Sequence, residues 1–273
     1  MTAGEFVSEV NAIASRWIKK TLRRPPFLFF SLVQPIVWFV LFTQAFSSIS
    51  NIRTPIGGGR FLTFADITGT SSYLTFFSAA VIIQTVLASA MQSGVGFVTD
   101  MESGFLDKLK VAPIRRSSIL LGKLMSDGAR ILLQTFVILV LAFILGVGIA
   151  TGVLGLVLLF GIALAFGIAW SGISTFIALA TKNSESTLMI SLLTTFPLLF
   201  LSTAVMPKPL LPDWVQSVAG YNPISYIADG LHGLIITPGL DWSVVGLAFL
   251  IIAAVGFVTL SATTTMFRRV VSA

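Results

Sequence analysis

The sequence predicts an all-α polytopic membrane protein. It has six transmembrane helices, an N-terminal amphipathic interfacial helix, a short cytoplasmic helix, and short re-entrant helices on the outer side before the last span. The chain of 273 residues is 55% hydrophobic and only 10% charged, against roughly 25% charged in soluble domains. Its mean hydropathy is +0.96, which leaves little material for a water-soluble catalytic domain. The longest polar stretch, 99–130, lies between apolar runs and holds Asp100, Glu102, Asp107, Lys108, Lys110, Arg115, Arg116, Lys123, Asp127 and Arg130. Each charge at a bilayer centre costs about 2.5–3.5 kcal/mol on insertion scales, so this island belongs in water. Within it Phe105, Leu106, Leu109 and Val111 form an apolar set that suits either a short amphipathic helix offered to another protein or an ordinary solvated loop.

Residues 5–20 read as an amphipathic helix. Phe6, Val7, Val10, Ile13, Ala14, Trp17 and Ile18 follow helical spacing, opposite Glu5, Glu9, Arg16, Lys19 and Lys20. Such a helix lies in the headgroup plane or packs on a partner. Pro25 and Pro26 then open the first span, 27–46, close to the ~20 residues that a bilayer core requires, with a kink expected at Pro35. A flexible loop is expected over 47–70. Its glycines, Gly57, Gly58 and Gly59, lack the following Lys-Ser or Lys-Thr of a phosphate-binding loop.

The second span, 71–98, is long enough to tilt or to project. It carries Ser78, Thr85, Ser89, Gln92 and Gly96 on one face, which suits close helix packing or a substrate path. The third span is expected at 131–147 and is followed by an uncharged turn. The fourth, 153–180, presents Ala163, Gly167, Ser171, Ser174 and Ala178 as a packing stripe. Lys182 and Glu185 mark a wet turn. The fifth span, 187–205, has Ser191 and Thr195 near one face and Pro197 as a kink.

The segment 206–240 is broken by Pro207, Pro209, Pro212, Pro223 and Pro238, so it forms no continuous span. Asn222 followed by Pro223 is a cap and first turn for a short helix. A second short helix is expected after Asp213, with Trp214, Tyr221 and Tyr226 as interfacial anchors. Asp229 and His232 share a face, as part of a polar surface or as a substrate-contacting pair. The sixth span, 243–266, ends at Arg268 and Arg269.

Six spans put both termini on one side with the island. That side collects Arg16, Lys19, Lys20, Arg23, Arg24, Lys108, Lys110, Arg115, Arg116, Lys123, Arg130, Lys182, Arg268 and Arg269, against Arg53, Arg60 and Lys208 opposite. The bias makes the termini cytoplasmic. The net charge of +6 follows helix ends and forms no basic face, which argues against nucleic acid. With no cysteine and one histidine, disulfides, thiolate chemistry and a cysteine-based metal site are excluded. The first apolar run follows a long polar segment and reads as an anchor, not as a cleavable signal peptide.

Glu102, Gly104, Phe105, Leu106 and Leu109, then Pro113, Arg115, Arg116 and the run Leu121-Gly122-Lys123, resemble the cytoplasmic loop of ABC-2 type transporter permeases. The similarity is strongest to the drug-exporter branch that includes the daunorubicin-resistance permease. Asn222, Pro223, Tyr226, Gly230 and Leu231 resemble that family's segment before its last helix, and the six-helix layout also matches. The resemblance implies a single ABC-2 type transmembrane domain over 1–273 and a coupling helix at 104–111, where Phe105, Leu106 and Leu109 dock in a cleft of a separate ATP-binding subunit. It implies two permeases, as a homodimer, with two ATPases that hold ATP and Mg. No enzymatic activity or cofactor is expected in this chain, which lacks the GxxxxGK[ST] run.

The implied function is multidrug-type export of an amphipathic or hydrophobic substrate across the cell membrane. Ser78, Thr85, Ser89, Gln92, Ser191 and Thr195 would line the path. Export of a glycolipid or polysaccharide, and service in sodium or peptide-antibiotic resistance, are alternatives within the same architecture. An ion-coupled secondary transporter would want an ionisable group at mid-membrane depth, and no span carries one centrally. A non-transporting scaffold would leave the small polar stripes without a use.

Overall fold

The computed structural model describes residues 3–23, 25–51, 53–55, 61–111 and 114–272. The expected loop glycines, together with Arg24, Arg60 and Pro113, lie outside the described residues. Helices dominate: α1 (Ala3–Leu22), α2 (Pro25–Ala45), α3 (Phe64–Thr68), α4 (Tyr73–Glu102), α5 (Phe105–Val111), α6 (Arg116–Ile144), α7 (Gly152–Thr181), α8 (Ser184–Phe200), α9 (Asp213–Ala219), α10 (Pro223–Ile235) and α11 (Trp242–Ser272). Among the described residues, four helical stretches are long and apolar enough to cross a membrane: Phe64–Glu102, Ser117–Ile144, Gly152–Thr181 and Trp242–Arg269. Ser31–Ala45 and Ser184–Phe200 are apolar but shorter. Each belongs to a helix with an internal proline, Pro35 or Pro197.

Helix α4 is the axis of the bundle. At 30 residues it is about 45 Å long, and α2, α6, α7, α8 and α10 all pack on it. Small residues decide how closely. A Cβ on Gly94 would run into the carbonyl and hydroxyl of Ser174 on α7. The Ser174 hydroxyl accepts from the Gly94 N–H at 3.2 Å and donates to the Met91 carbonyl at 2.7 Å. Ser174 thus fastens α7 to α4 through the expected packing stripe.

One end of the bundle is aromatic. Phe42, Phe46, Phe64, Tyr73, Phe76 and Phe77 stack or tilt on one another, with ring centroids 5.4–6.4 Å apart. Such pairs add about 0.5–1.5 kcal/mol each beyond area burial. The Tyr73 hydroxyl donates to the Val205 carbonyl at 3.2 Å, which ties the segment after α8 to this cluster. The other end carries α5.

The structure departs from expectation in the loop over 47–70, at the start of the third span and, at the end of the fifth, where α8 stops at Phe200. The loop over 47–70 is partly built. A 3-10 turn spans Ser47–Asn51, Arg53–Pro55 pairs antiparallel with Phe61–Thr63, and Thr63 and Asp66 close a capping box on α3. That box satisfies backbone donors which hydropathy does not register. The third span was expected to begin at Ile131, but α6 begins at Arg116, and Lys123, Asp127 and Arg130 of its first half pair with one another inside the bundle. Trp17 is 7% exposed, buried with Val10, Ile13 and Ala14. The apolar face of α1 packs on α6, and a Cβ on Gly122 would lie 2.7 Å from the Ile13 methyl.

Substituting Gly94→Ala should cost about 1–3 kcal/mol, as overpacking does. The expected outcome is a lower thermal midpoint for the detergent-solubilised chain. An unchanged midpoint would mean that α4 and α7 are not in backbone contact there.

Candidate functional site

Helix α4 ends in a sharp corner. Gly104 adopts φ +66° with no atom within 4 Å of where a Cβ would be, so glycine is needed there for its backbone and not for space. The chain then turns into α5. Leu106 is 4% exposed and packs with Ile13, Trp17, Phe97, Ile119, Leu179 and Phe267, with Leu109 at the cluster's edge. The Arg16 guanidinium lies 3.2 Å from the Phe105 ring centroid, a cation–π contact. Glu102 accepts from the Ser184 N–H at 3.1 Å and from its hydroxyl at 2.9 Å, holding the start of α8. Leu106 therefore anchors α5 to its own chain, which corrects the expectation that it docks outward. The outward face is Asp107, Lys108 and Val111, the last 86% exposed.

Helix α1 straps both flanks of α5. On one flank Arg16 and Lys20 donate to the two Asp100 oxygens at 3.0 and 2.5 Å. On the other, Glu9 accepts from the Arg115 N–H at 3.1 Å and the Ser118 hydroxyl at 2.6 Å. The Ser118 hydroxyl and then the Arg115 N–H hold the Glu9 carboxyl below its ordinary value of 4.5. The Arg115 guanidinium also lies 5.3 Å from the Phe6 ring. Arg116 is the first residue of α6.

Two turns into α6 the charges are buried. Lys123 and Asp127 are 2% and 1% exposed. The Lys123 ammonium donates to both Asp127 oxygens, at 2.5 and 2.6 Å, and to the Ser93 hydroxyl at 3.2 Å. Ser93 in turn donates to Asp127. Arg130 reaches Asp127 at 3.0 Å, the Ser89 hydroxyl at 2.9 Å and the Ser89 carbonyl at 2.7 Å. Sequence reading placed this set in water. The spacing of Lys123, Asp127 and Arg130 along one helical face was the available signal for a paired, buried cluster.

The expected path residues separate into two groups. Ser78 and Thr85 are buried and donate to carbonyls of their own helix, and Ser89 holds Arg130. Ser191 is buried with its hydroxyl unpartnered among the described residues, and Thr195 accepts from the Trp170 indole at 3.0 Å. A cavity of about 290 Å³ lies between α2, α4 and α8, lined by Gln34, Gln84, Gln92 and Thr195 among apolar side chains. Gln92 also lines a second cavity of about 310 Å³ nearer α5, with Trp17, Lys20, Lys123 and Arg130.

At the aromatic end, Asn222 caps α10 through the Ile224 N–H and donates to the Leu198 and Leu201 carbonyls. Pro223 follows as the first helical residue. Asp229 and His232 line one cavity of about 660 Å³. Asp229 accepts from the Thr203 hydroxyl at 3.0 Å, and His232 stacks on Phe76 at 4.2 Å. Among the described residues no group of three or more metal-ligating side chains comes together.

The chain matches the ABC-2 type transporter family model over residues 8–236. The chain belongs to that family. This ABC-2 permease is 28% identical to the transport permease ycf38 of Porphyra purpurea, over 88% of its own length and 77% of that protein's. It is 27% identical to the daunorubicin resistance ABC transporter permease protein DrrB1 of Streptomyces coeruleorubidus, over 74% and 67%. To the doxorubicin resistance ABC transporter permease protein DrrC of Mycobacterium tuberculosis it is 21% identical, over 82% and 74%. The chain is thus an integral membrane permease of the ABC transporter class. Family permeases are not themselves catalytic and pair with an ATP-binding subunit.

Asp127→Asn should cost about 3–5 kcal/mol, because it leaves Lys123 buried without a counter-charge. The double change Lys123→Met with Asp127→Leu should recover much of the loss, and thermal unfolding in detergent reads both. For Glu9 the sign follows from its lowered value. Its contribution is fully present above 4.5 and is lost as pH falls through the depressed value. Protease nicking of α1 should therefore rise on acidification, and Glu9→Gln should show much of that increase already at neutral pH.

Proposed function

We propose that this permease is the membrane subunit of an ATP-driven exporter that moves an amphipathic or hydrophobic substrate, drug-like, antibiotic-like or lipid-like, out of the cell. It is one transmembrane domain over 1–273. Its six spans are α2, α4, α6, α7, α8 and α11, with α5 and both termini in the cytoplasm of a cell membrane and α9 and α10 re-entrant from outside. The distribution of Lys and Arg supports this orientation. A separate ATP-binding subunit, carrying ATP and Mg, docks on α5. A second permease copy completes a homodimer with two ATPases.

The observation that carries this reading is the anchoring of α5. A helix that hung freely would absorb a push. This one is pinned through Leu106, Phe105 and Glu102, strapped on both flanks by α1, and leaves Asp107, Lys108 and Val111 outward. Force applied there passes into α4 and α6. ATP binding would draw the two ATPases together, tilt these helices and open the chamber between the permeases outward, by rigid-body alternating access. The cavity lined by Gln34, Gln84, Gln92 and Thr195 within apolar walls supports a weakly polar cargo. The names of the daunorubicin and doxorubicin resistance relatives support a drug-like one. The buried Lys123 and Asp127 do not favour an ion-coupled carrier, since each already neutralises the other near the α5 end of α6.

The test changes the outward face alone. The pair Lys108→Glu and Val111→Asp should abolish co-purification of the ATPase and lower ATP-dependent export at least about tenfold, a loss of about 1.4 kcal/mol or more, with the thermal midpoint unchanged. Undiminished export by the purified permease in vesicles without any ATPase would overturn the reading.

A further inference from the structure

We propose that the cavity between α1, α4, α6 and α8 binds the anionic headgroup of an amphiphile, whose apolar tail runs on into the adjoining cavity between α2, α4 and α8. This deepens the proposed function, on which it rests, by assigning the charge of the cargo. The geometry points to it in three ways.

The first is charge. Among the described residues, Arg16, Lys20, Lys123 and Arg130 pair with Asp100 and Asp127, four cations against two carboxylates, so the cluster keeps an excess of two positive charges. Lys20, Lys123 and Arg130 line the cavity itself, which has room for a headgroup at about 310 Å³. The Lys20 and Lys123 ammonium groups lie 4.8 and 4.6 Å from the centroid of the same Trp17 ring, which also lines the cavity. In a low-dielectric setting an anion is attracted to this excess and a cation is repelled.

The second is an unused polar atom. The Gln92 side-chain oxygen is buried with no hydrogen-bond partner among the described residues, and Gln92 lines this cavity and the neighbouring one. A buried polar atom left unpaired is costly, and a headgroup hydroxyl or amide, or a carried water, would satisfy it. The third is continuity. Gln92 and Leu188 belong to both cavities. Beyond them the lining turns apolar, with Leu87, Met91, Leu192, Phe196 and Leu199. A charged chamber opening on an apolar one is the shape of an anionic amphiphile. The ligand is either cargo or a resident membrane lipid, and the two share this chemistry.

Trp17 reports on the site. The full-length permease in phosphatidylcholine vesicles is titrated with a fatty acid bearing a nitroxide near its carboxylate. A parallel titration uses the trimethylammonium compound with the same labelled tail. The Trp17→Phe variant isolates the Trp17 signal from the other indoles. The expected result is saturable quenching of Trp17, with about tenfold tighter binding of the anion, a difference of about 1.4 kcal/mol. Thr99→Glu, which puts a carboxylate into the lining, should abolish or reverse that preference. Lys20→Gln should weaken the anion several-fold. Equal quenching by both probes, or a preference that survives both substitutions, would overturn the proposal.

With the ATPase and ATP added, a cargo leaves the site and a resident lipid stays, and either supports an anionic headgroup. Export without any charge preference at Trp17 would sink this site and leave the exporter reading standing. Anion binding without ATP-dependent export would do the reverse.

Discussion

The need to give every buried charge its hydrogen-bond partners governs the α5 end of this molecule. Lys123, Asp127 and Arg130 enter α6 only because they satisfy one another and the Ser89 and Ser93 hydroxyls of α4. Removing one partner from such a set is far more damaging than replacing the whole set with apolar groups. The cluster therefore behaves as a pin that fixes the rotation of α6 against α4. It sits just above α5, so whatever moves α5 meets a rigid pair of helices.

The N-terminal helix completes that rigidity from outside. Glu9 reaches the start of α6, and Arg16 and Lys20 reach the end of α4. These bonds lie at intermediate exposure, where single ion pairs contribute little. Their weight comes from bridging two elements that flank the same short helix, with the buried face of Trp17, Ile13 and Val10 beneath them. A helix whose composition suits either a membrane surface or a packed partner is in this fold a brace.

At the opposite end the chain uses shape in place of charge. His232 stacked on Phe76, and Asn222 bonded to the Leu198 and Leu201 carbonyls, hold α10 against α4 and the end of α8. His232 and Asp229 face a cavity of about 660 Å³ there. The two ends thus differ in kind: an electropositive, pinned base and an aromatic, proline-broken crown. That polarity along α4 is consistent with a protein that works across a membrane.

Much was legible in the residues. Hydropathy gave the long apolar helices, and Asn222 with Pro223 gave the start of α10. Gly104 followed by Phe105, Leu106 and Leu109 gave the foot and the family. These signals are local: periodicity, caps and turns depend on residues a few positions apart. The tertiary structure decided which way each face turned. Leu106 proved an inward anchor and Trp17 a buried wall, α6 began fifteen residues before its apolar run, and the Ser78 and Thr85 hydroxyls closed on their own helix. Burial is a property of what comes to lie opposite. Asp100 meets Lys20, and Glu9 meets Ser118, across separations of 80 and 109 residues; no window along the chain contains both partners, so only folding could pair them.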